Sequence, residues 1–236
     1  MKTLVLGASG ATGRLVVSQL LDKGISPKIV VRDGAILPRE ISERKEVEII
    51  KGNINDYTIK QITEIMDDCN AVISCLGHNI SLKGILGKPH RLVCNAVMKI
   101  TDVLGASKLR KKFVLMSTTA YTDSVHGEKE TLGERIVFGL LKLLLPPHTD
   151  NVKSGDYLLT RIKESEDFEW VAVRPDSLID EENVGEYQVV DRKMRSPIFN
   201  PGQTSRINVA HFIVALLSEE ELWHVWKYKA PVIYNK

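Results

Sequence analysis

Short continuous apolar runs alternate along this chain with longer stretches in which apolar residues recur at helical spacing. The runs at 3–6, 27–33, 47–52, 70–77, 113–116 and 169–173 are rich in Val, Ile and Leu and predict buried parallel strands. Between them, Leu15, Val16, Gln19, Leu20 and Lys23 predict one helix. Ile59, Ile62, Ile65 and Met66 predict a second, with Asp56 as its expected cap, and Val93, Ala96, Val97, Ile100, Val103 and Leu104 a third. Residues 149–168 suit a helix feeding the strand at 169–173, with Lys153 on its first turn. Later segments predict strands at 187–190 and 231–234 around a helix at 209–217. Strands alternating with helices imply an α/β, Rossmann-like, doubly wound and mostly parallel sheet of about seven strands. One domain over residues 1–236 accommodates it.

The segment Lys2 to Gly24 carries the most chemical information. It reads as strand, turn and helix, with Gly7, Gly10 and Gly13 at G-x-x-G-x-x-G spacing and Ser9, Ala11 and Thr12 between them. Such a turn brings bare backbone close to a pyrophosphate and aims helix N-terminal amides at its charge. A nicotinamide dinucleotide is the expected ligand. Arg32 stands 19 residues after Gly13, at the end of the second strand, where an arginine accommodates a 2′-phosphate and an acid would hold a ribose diol. NADP is therefore expected over NAD, and an inward-turned Asp33 would reverse the preference. Arg14 is either a second cation for the phosphates or a solvent-facing helix residue. Asn53 and Ile54, after the third strand, are adenine contacts or an ordinary turn. Cys75, Leu76 and Gly77 end the fourth strand and should face the cofactor, with Gly77 allowing close approach. His78, beside Asn79, is a surface loop residue or an acid–base group.

Composition narrows the field. A 236-residue chain with 43% hydrophobic residues can bury one sizeable core, and intermixed charges summing to +2 give no reason to expect nucleic acid or an anionic membrane. The cluster Lys108, Arg110, Lys111 and Lys112 reads as solvated cations at a helix C-terminus. Cys69, Cys75 and Cys94 form neither a disulfide framework nor a metal-ligand pattern, so buried thiols in a reducing compartment and no metal are expected. No cationic leader precedes the first strand, and the apolar stretch 136–145 contains Lys142 and falls short of the roughly 20 residues a bilayer requires. A cytoplasmic protein is expected.

Together, Gly7 to Gly13, Val31-Arg32-Asp33, Cys75-Leu76-Gly77, Ser117-Thr118-Thr119, Trp170 to Pro175 and Thr204 to Ala210 resemble the short-chain dehydrogenase/reductase superfamily. The likeness is to its atypical branch, which includes NmrA-like proteins and biliverdin reductase B. The resemblance implies NADP across the carboxyl ends of the strands and, in catalytic members, a hydroxyl residue, a tyrosine and a lysine acting together. Thr118 falls at the hydroxyl position, with Ser117 and Thr119 as neighbours, and Lys153 at the lysine position, where it would contact ribose. Thr149 stands where the tyrosine is expected, and threonine is a far poorer proton donor. Tyr157, in a Y-x-x-x-R arrangement with Arg161, lies too late. Water, His78, His148 or the acceptor itself could supply the proton instead.

Residues 121–148 exceed a minimal fold. Leu132, Ile136, Val137, Leu140, Leu141, Leu144 and Leu145 have helical spacing there, alongside Arg135 and Lys142. The insertion reads as a lid over the substrate pocket, a protein-contact helix, a membrane-surface helix or a plain core helix. Residues 176–236 are expected to supply substrate-side elements. Two functions follow: an NADPH-dependent reductase of a small carbonyl, flavin or quinone, or a non-catalytic NADP-binding regulator or assembly factor of NmrA-like type. The partner is correspondingly a small-molecule substrate or a protein. Neither substrate identity nor oligomeric state is encoded in a motif.

Overall fold

The computed structural model describes residues 1–77, 91–107, 109–144 and 146–236, without the side chains of 142–144 and 146–148. Eight strands form the main sheet in the order β3-β2-β1-β4-β5-β6-β10-β8. They are β1 (Lys2–Leu6), β2 (Ser26–Val31), β3 (Glu48–Lys51), β4 (Ala71–Ser74), β5 (Lys111–Met116), β6 (Phe168–Pro175), β8 (Tyr187–Val190) and β10 (Val232–Asn235). All neighbours pair in parallel except β8, which runs antiparallel to β10 at the edge. The sheet thus has eight strands where about seven were expected. A separate parallel pair, β7 (Ser177–Ile179) with β9 (Gln203–Ser205), had no signal in the alternation because each spans only three residues.

Helices cover both faces, as burial of a parallel sheet demands. On one side α1 (Ala11–Asp22), α7 (Arg206–Ser218) and α8 (Glu220–Trp226) pack with Val5, Ile29, Ile73, Val114 and Val171. On the other, α3 (Ile59–Met66), α4 (Leu92–Gly105) and α6 (Pro146–Tyr157) pack with Leu4, Val72, Phe113 and Leu115. The short α2 (Arg39–Ser42) lies between β2 and β3, and α5 (Leu132–Leu144) packs against α6. Alternate residues of each central strand therefore serve opposite core layers, and the crossing from β3-β2-β1 to β4-β5-β6 opens a crevice at the carboxyl edge between β1 and β4.

Several local expectations change. Asp56 does not cap α3: Thr58 does, in a capping box with Gln61, because residues 54–56 form a separate 3₁₀ turn held by Asn53. Lys111 is no solvated cation; it is buried in β5 and donates to the carbonyls of Met66 (2.6 Å) and Asp67 (3.3 Å) at the end of α3. Lys112 pairs with Glu220 at 2.6 Å and lies over the Trp223 ring. Lys108 lies outside the described residues. The helix expected over 149–168 starts earlier, at Pro146, and ends at Tyr157 in a π-helical turn, Leu158–Ile162, so Lys153 sits in its middle. The 209–217 helix begins at Arg206 because the Ser205 hydroxyl accepts the Asn208 N–H.

Candidate functional site: a cleft at the carboxyl edge

The loop after β1 turns sharply because Gly7 adopts φ +78°, and the Gly10 amide closes it onto the Gly7 carbonyl at 2.9 Å. Any side chain at Gly7 would strike the Cys75 carbonyl, 2.5 Å from a built Cβ. One at Gly13 would lie 2.1 Å from the Gly7 oxygen. The turn is consequently folded hard onto both the end of β4 and its own helix. Gly10 caps α1 without a side chain, and no acid occupies the helix's first turn. The positive end of α1 faces outward uncompensated among the described residues.

That end opens into a cleft of about 490 Å³ lined by Gly7, Ser9, Gly10, Ala11 and Thr12 from the turn, and by Cys75, Leu76 and Gly77 beyond β4. Asn53 and Ile54 form another part of its wall, and Arg32 and Asp33 stand at the end of β2. Eleven of the residues singled out in the sequence as cofactor contacts therefore converge on one space: Gly7, Ser9, Gly10, Ala11, Thr12, Arg32, Asn53, Ile54, Cys75, Leu76 and Gly77. Asn53 lines the cleft while its side chain, holding an ordinary turn, accepts the Asn55 N–H at 3.2 Å. Burial pushes the Cys75 thiol up to about 12, so it stays protonated and is a wall rather than a nucleophile.

Other residues stand elsewhere. Gly13 supports the turn from behind, and Arg14, exposed on α1, is absent from the described lining. Lys153 is exposed on α6, within electrostatic reach of the Cys94 thiol, and neither it nor Thr118 lines the described cleft. Thr118 follows β5, and its hydroxyl accepts the Ala120 N–H at 3.2 Å. His78 and Asn79 lie outside the described residues, as does the side chain of His148. Tyr157 faces α4, where its hydroxyl accepts from Thr101 at 3.4 Å.

The cleft also contains residues that the pattern missed. Ile36, 89% exposed, stands on its rim in a loop without periodicity, and Leu92 enters from the start of α4. Asp150 holds that helix in place: Val93 N–H donates to its carboxylate at 2.7 Å and Cys94 N–H at 3.0 Å. Asn55 reaches the Leu92 carbonyl at 3.0 Å, and Lys99 fixes the Asn55 carbonyl at 2.6 Å. At and beyond the carboxyl ends of β4 and β5, the hydroxyls of Ser74, Ser117 and Tyr121 are buried without a hydrogen-bond partner among the described residues.

Comparison with known proteins agrees with this geometry. The sequence profile of a family described as NAD(P)H-binding matches residues 7–220. The chain belongs to this NAD(P)H-binding family. A curated relative, an uncharacterized chloroplastic protein of Arabidopsis thaliana, is 33% identical over 127 residues, 54% of this chain and 44% of the relative. The match thus spans less than half of that protein's length. Among solved structures, a protein of Streptococcus pneumoniae provisionally named an NADH-flavin reductase is 18% identical, with both chains covered in full and a TM-score of 0.72. A short-chain dehydrogenase/reductase of Veillonella parvula in complex with NADP is 14% identical, over 99% of this chain and 94% of that one, with a TM-score of 0.68. These likenesses establish a Rossmann-type fold. Among the described residues no helix is long and apolar enough to cross a membrane.

Proposed function

We propose that this member of the NAD(P)H-binding family uses NADPH to reduce a small carbonyl, flavin or quinone acceptor. The observation that carries the reading is the cleft itself. An uncompensated helix N-terminus, a glycine turn pressed against β4 and an arginine at the end of β2 share one crevice. When bound, the cofactor would supply the hydride. Gly7 to Thr12 would hold its diphosphate through backbone amides, Ile54 and Asn53 would border the adenine, and Arg32 would meet the 2′-phosphate. Gly77, where an added Cβ would meet nothing within 4 Å among the described residues, would leave room for the nicotinamide half.

Lys153 and Thr118 are proposed to act on the nicotinamide side, Lys153 through ribose. A flavin or quinone acceptor removes much of the need for a tyrosine-like proton donor, which agrees with threonine at position 149 and with the provisional name of the pneumococcal structure. A second reading, a non-catalytic NADP-binding regulator, draws support from that same threonine. Three free cysteines suit a reducing compartment, whether cytoplasm or plastid stroma.

The two readings separate in one assay. NADPH oxidation is followed with a panel of flavins, quinones and aldehydes alongside a binding measurement. Turnover above the protein-free background supports the reductase, whereas tight NADPH binding with no turnover across the panel selects the regulator.

A further inference from the structure

The insertion at 121–148 has an unsatisfied outer face. Helix α5 turns Phe138 and Glu134 inward, leaving 3% and 5% of each exposed, while Leu132, Ile136 and Leu140 remain 76%, 57% and 54% exposed. These three occur at i, i+4 and i+8, so they form a single stripe down the helix. The segment after β8 is fastened alongside: Ser196 donates to Glu134 at 2.7 Å, and the Phe199 ring covers Gly133 so closely that a Cβ there would lie 2.9 Å from it. Phe199 is itself 63% exposed, and Met194 in the same segment 52%. Five large apolar side chains thus face outward from two segments pinned together.

The exposed charge beside them is predominantly positive among the described residues. Arg135, Arg192 and Arg195 are exposed on the same two segments. Three nearby carboxylates are turned to partners within the fold, and Asp191 stays 69% exposed. Glu134 accepts from Thr131 and Ser196, Glu128 is buried against Arg174, and Glu130 accepts from Thr122 at 2.8 Å. Asp191 lies 3.9 Å from Lys229.

We infer that the exposed stripe of α5 and the 192–199 segment form a docking surface for an anionic lipid bilayer, with the apolar side chains entering the acyl boundary and the arginines meeting headgroups. Apolar residues on one helix face flanked by cations are the chemistry of a helix lying in the membrane interface. A second copy fits less well. A two-fold contact through this patch would set its three arginines against one another, with Asp191 the one exposed carboxylate beside them among the described residues. The surface is separate from the dinucleotide cleft, so its test does not depend on cofactor binding.

The test is co-sedimentation of the full chain with phosphatidylcholine vesicles, with and without phosphatidylglycerol, in low and high salt. The expected result is binding to the phosphatidylglycerol vesicles that weakens with salt and falls at least tenfold in Ile136→Glu/Leu140→Glu and in Arg135→Glu/Arg195→Glu. Circular dichroism and NADPH binding should be unchanged in both variants. Because all four side chains are exposed, the folded state should tolerate these changes; Ile136→Ser/Leu140→Ser serves as a milder pair and should also weaken binding. Absence of binding to phosphatidylglycerol vesicles overturns the inference. So does binding that either pair of glutamates leaves intact, or a lipid-free dimer, seen by sedimentation velocity, that Ile136→Glu/Leu140→Glu dissolves.

Discussion

The carboxylate of Asp150 on α6 closes the N-terminus of α4 by accepting the Val93 N–H at 2.7 Å. A helix end that would otherwise leave bare amides is capped from another helix, and Leu92, the residue just before Val93, lines the dinucleotide cleft. Removing the cap should therefore affect both stability and ligand. Asp150→Ala is expected to destabilise the fold by about 1–2 kcal/mol, the usual cost of losing an N-cap, and to weaken NADPH binding. Thermal unfolding and nucleotide titration measured together check it; unchanged values in both would remove Asp150 from this role.

Gly13 offers a sharper steric test. Its Cα faces the Gly7 carbonyl, backbone against backbone, so a methyl group at 13 has no flexible side chain to push aside. Gly13→Ala should abolish detectable dinucleotide binding, whereas Gly24→Ala, strained at φ +68° but with open space around it, should lower stability while retaining affinity. Equal affinity in Gly13→Ala and wild type would contradict the tight-turn account.

Away from the cleft, Arg174 is fully buried and bidentate to Glu128, at 2.8 and 2.9 Å, and also donates to the Ala230 carbonyl at 2.6 Å. This joins β6 to the segment leading into α5. Arg174→Met strands a buried carboxylate and should cost about 3–5 kcal/mol. Arg174→Met/Glu128→Gln should recover part of that loss in denaturant unfolding. Full additivity of the two single changes would mean that the pair is uncoupled.

Acid should loosen the protein through two carboxylates. Burial works against ionisation of Glu128, but hydrogen bonds and attraction from Arg174 outweigh it and hold its pKa below the ordinary 4.5. At Asp68, desolvation is likewise outweighed by Lys2 and Lys28, which hold it well below 3.8. A depressed carboxylate contributes stability that is complete above its unfolded value and lost as pH falls through its folded one. Stability should thus decline from about pH 4.5 downward. Glu128→Gln, compared with wild type, should flatten that decline, as measured by urea midpoints across the acid range; an unaltered slope would exclude Glu128.

The parallel strands and most of the cleft were legible because they rest on local signals. Continuous apolar runs marked β1, β2, β4 and β5, and Gly7, Gly10 and Gly13 marked a turn whose geometry only glycine permits. Lys111 was misread because a lysine in a basic cluster gives no hint that the carbonyls ending α3 will arrive over it from 45 residues away. Asp150 and Glu128 were missed for the same reason, since their partners at Val93 and Arg174 are remote in sequence. The stripe on α5 was visible as periodicity, but periodicity cannot state which side of a helix is covered. Ile36 had no signal at all, as an isolated isoleucine in a polar loop resembles any other.

The most direct measurement is a titration of the purified protein with NADPH and NADH, repeated with Arg32→Ala. The account predicts saturable binding with NADPH preferred, and at least a tenfold loss of NADPH affinity on removing the guanidinium while NADH affinity stays level, on the order of the 1.5–3 kcal/mol carried by a charge-assisted hydrogen bond. Failure of either nucleotide to bind, or an Arg32→Ala protein with full NADPH affinity, would contradict it.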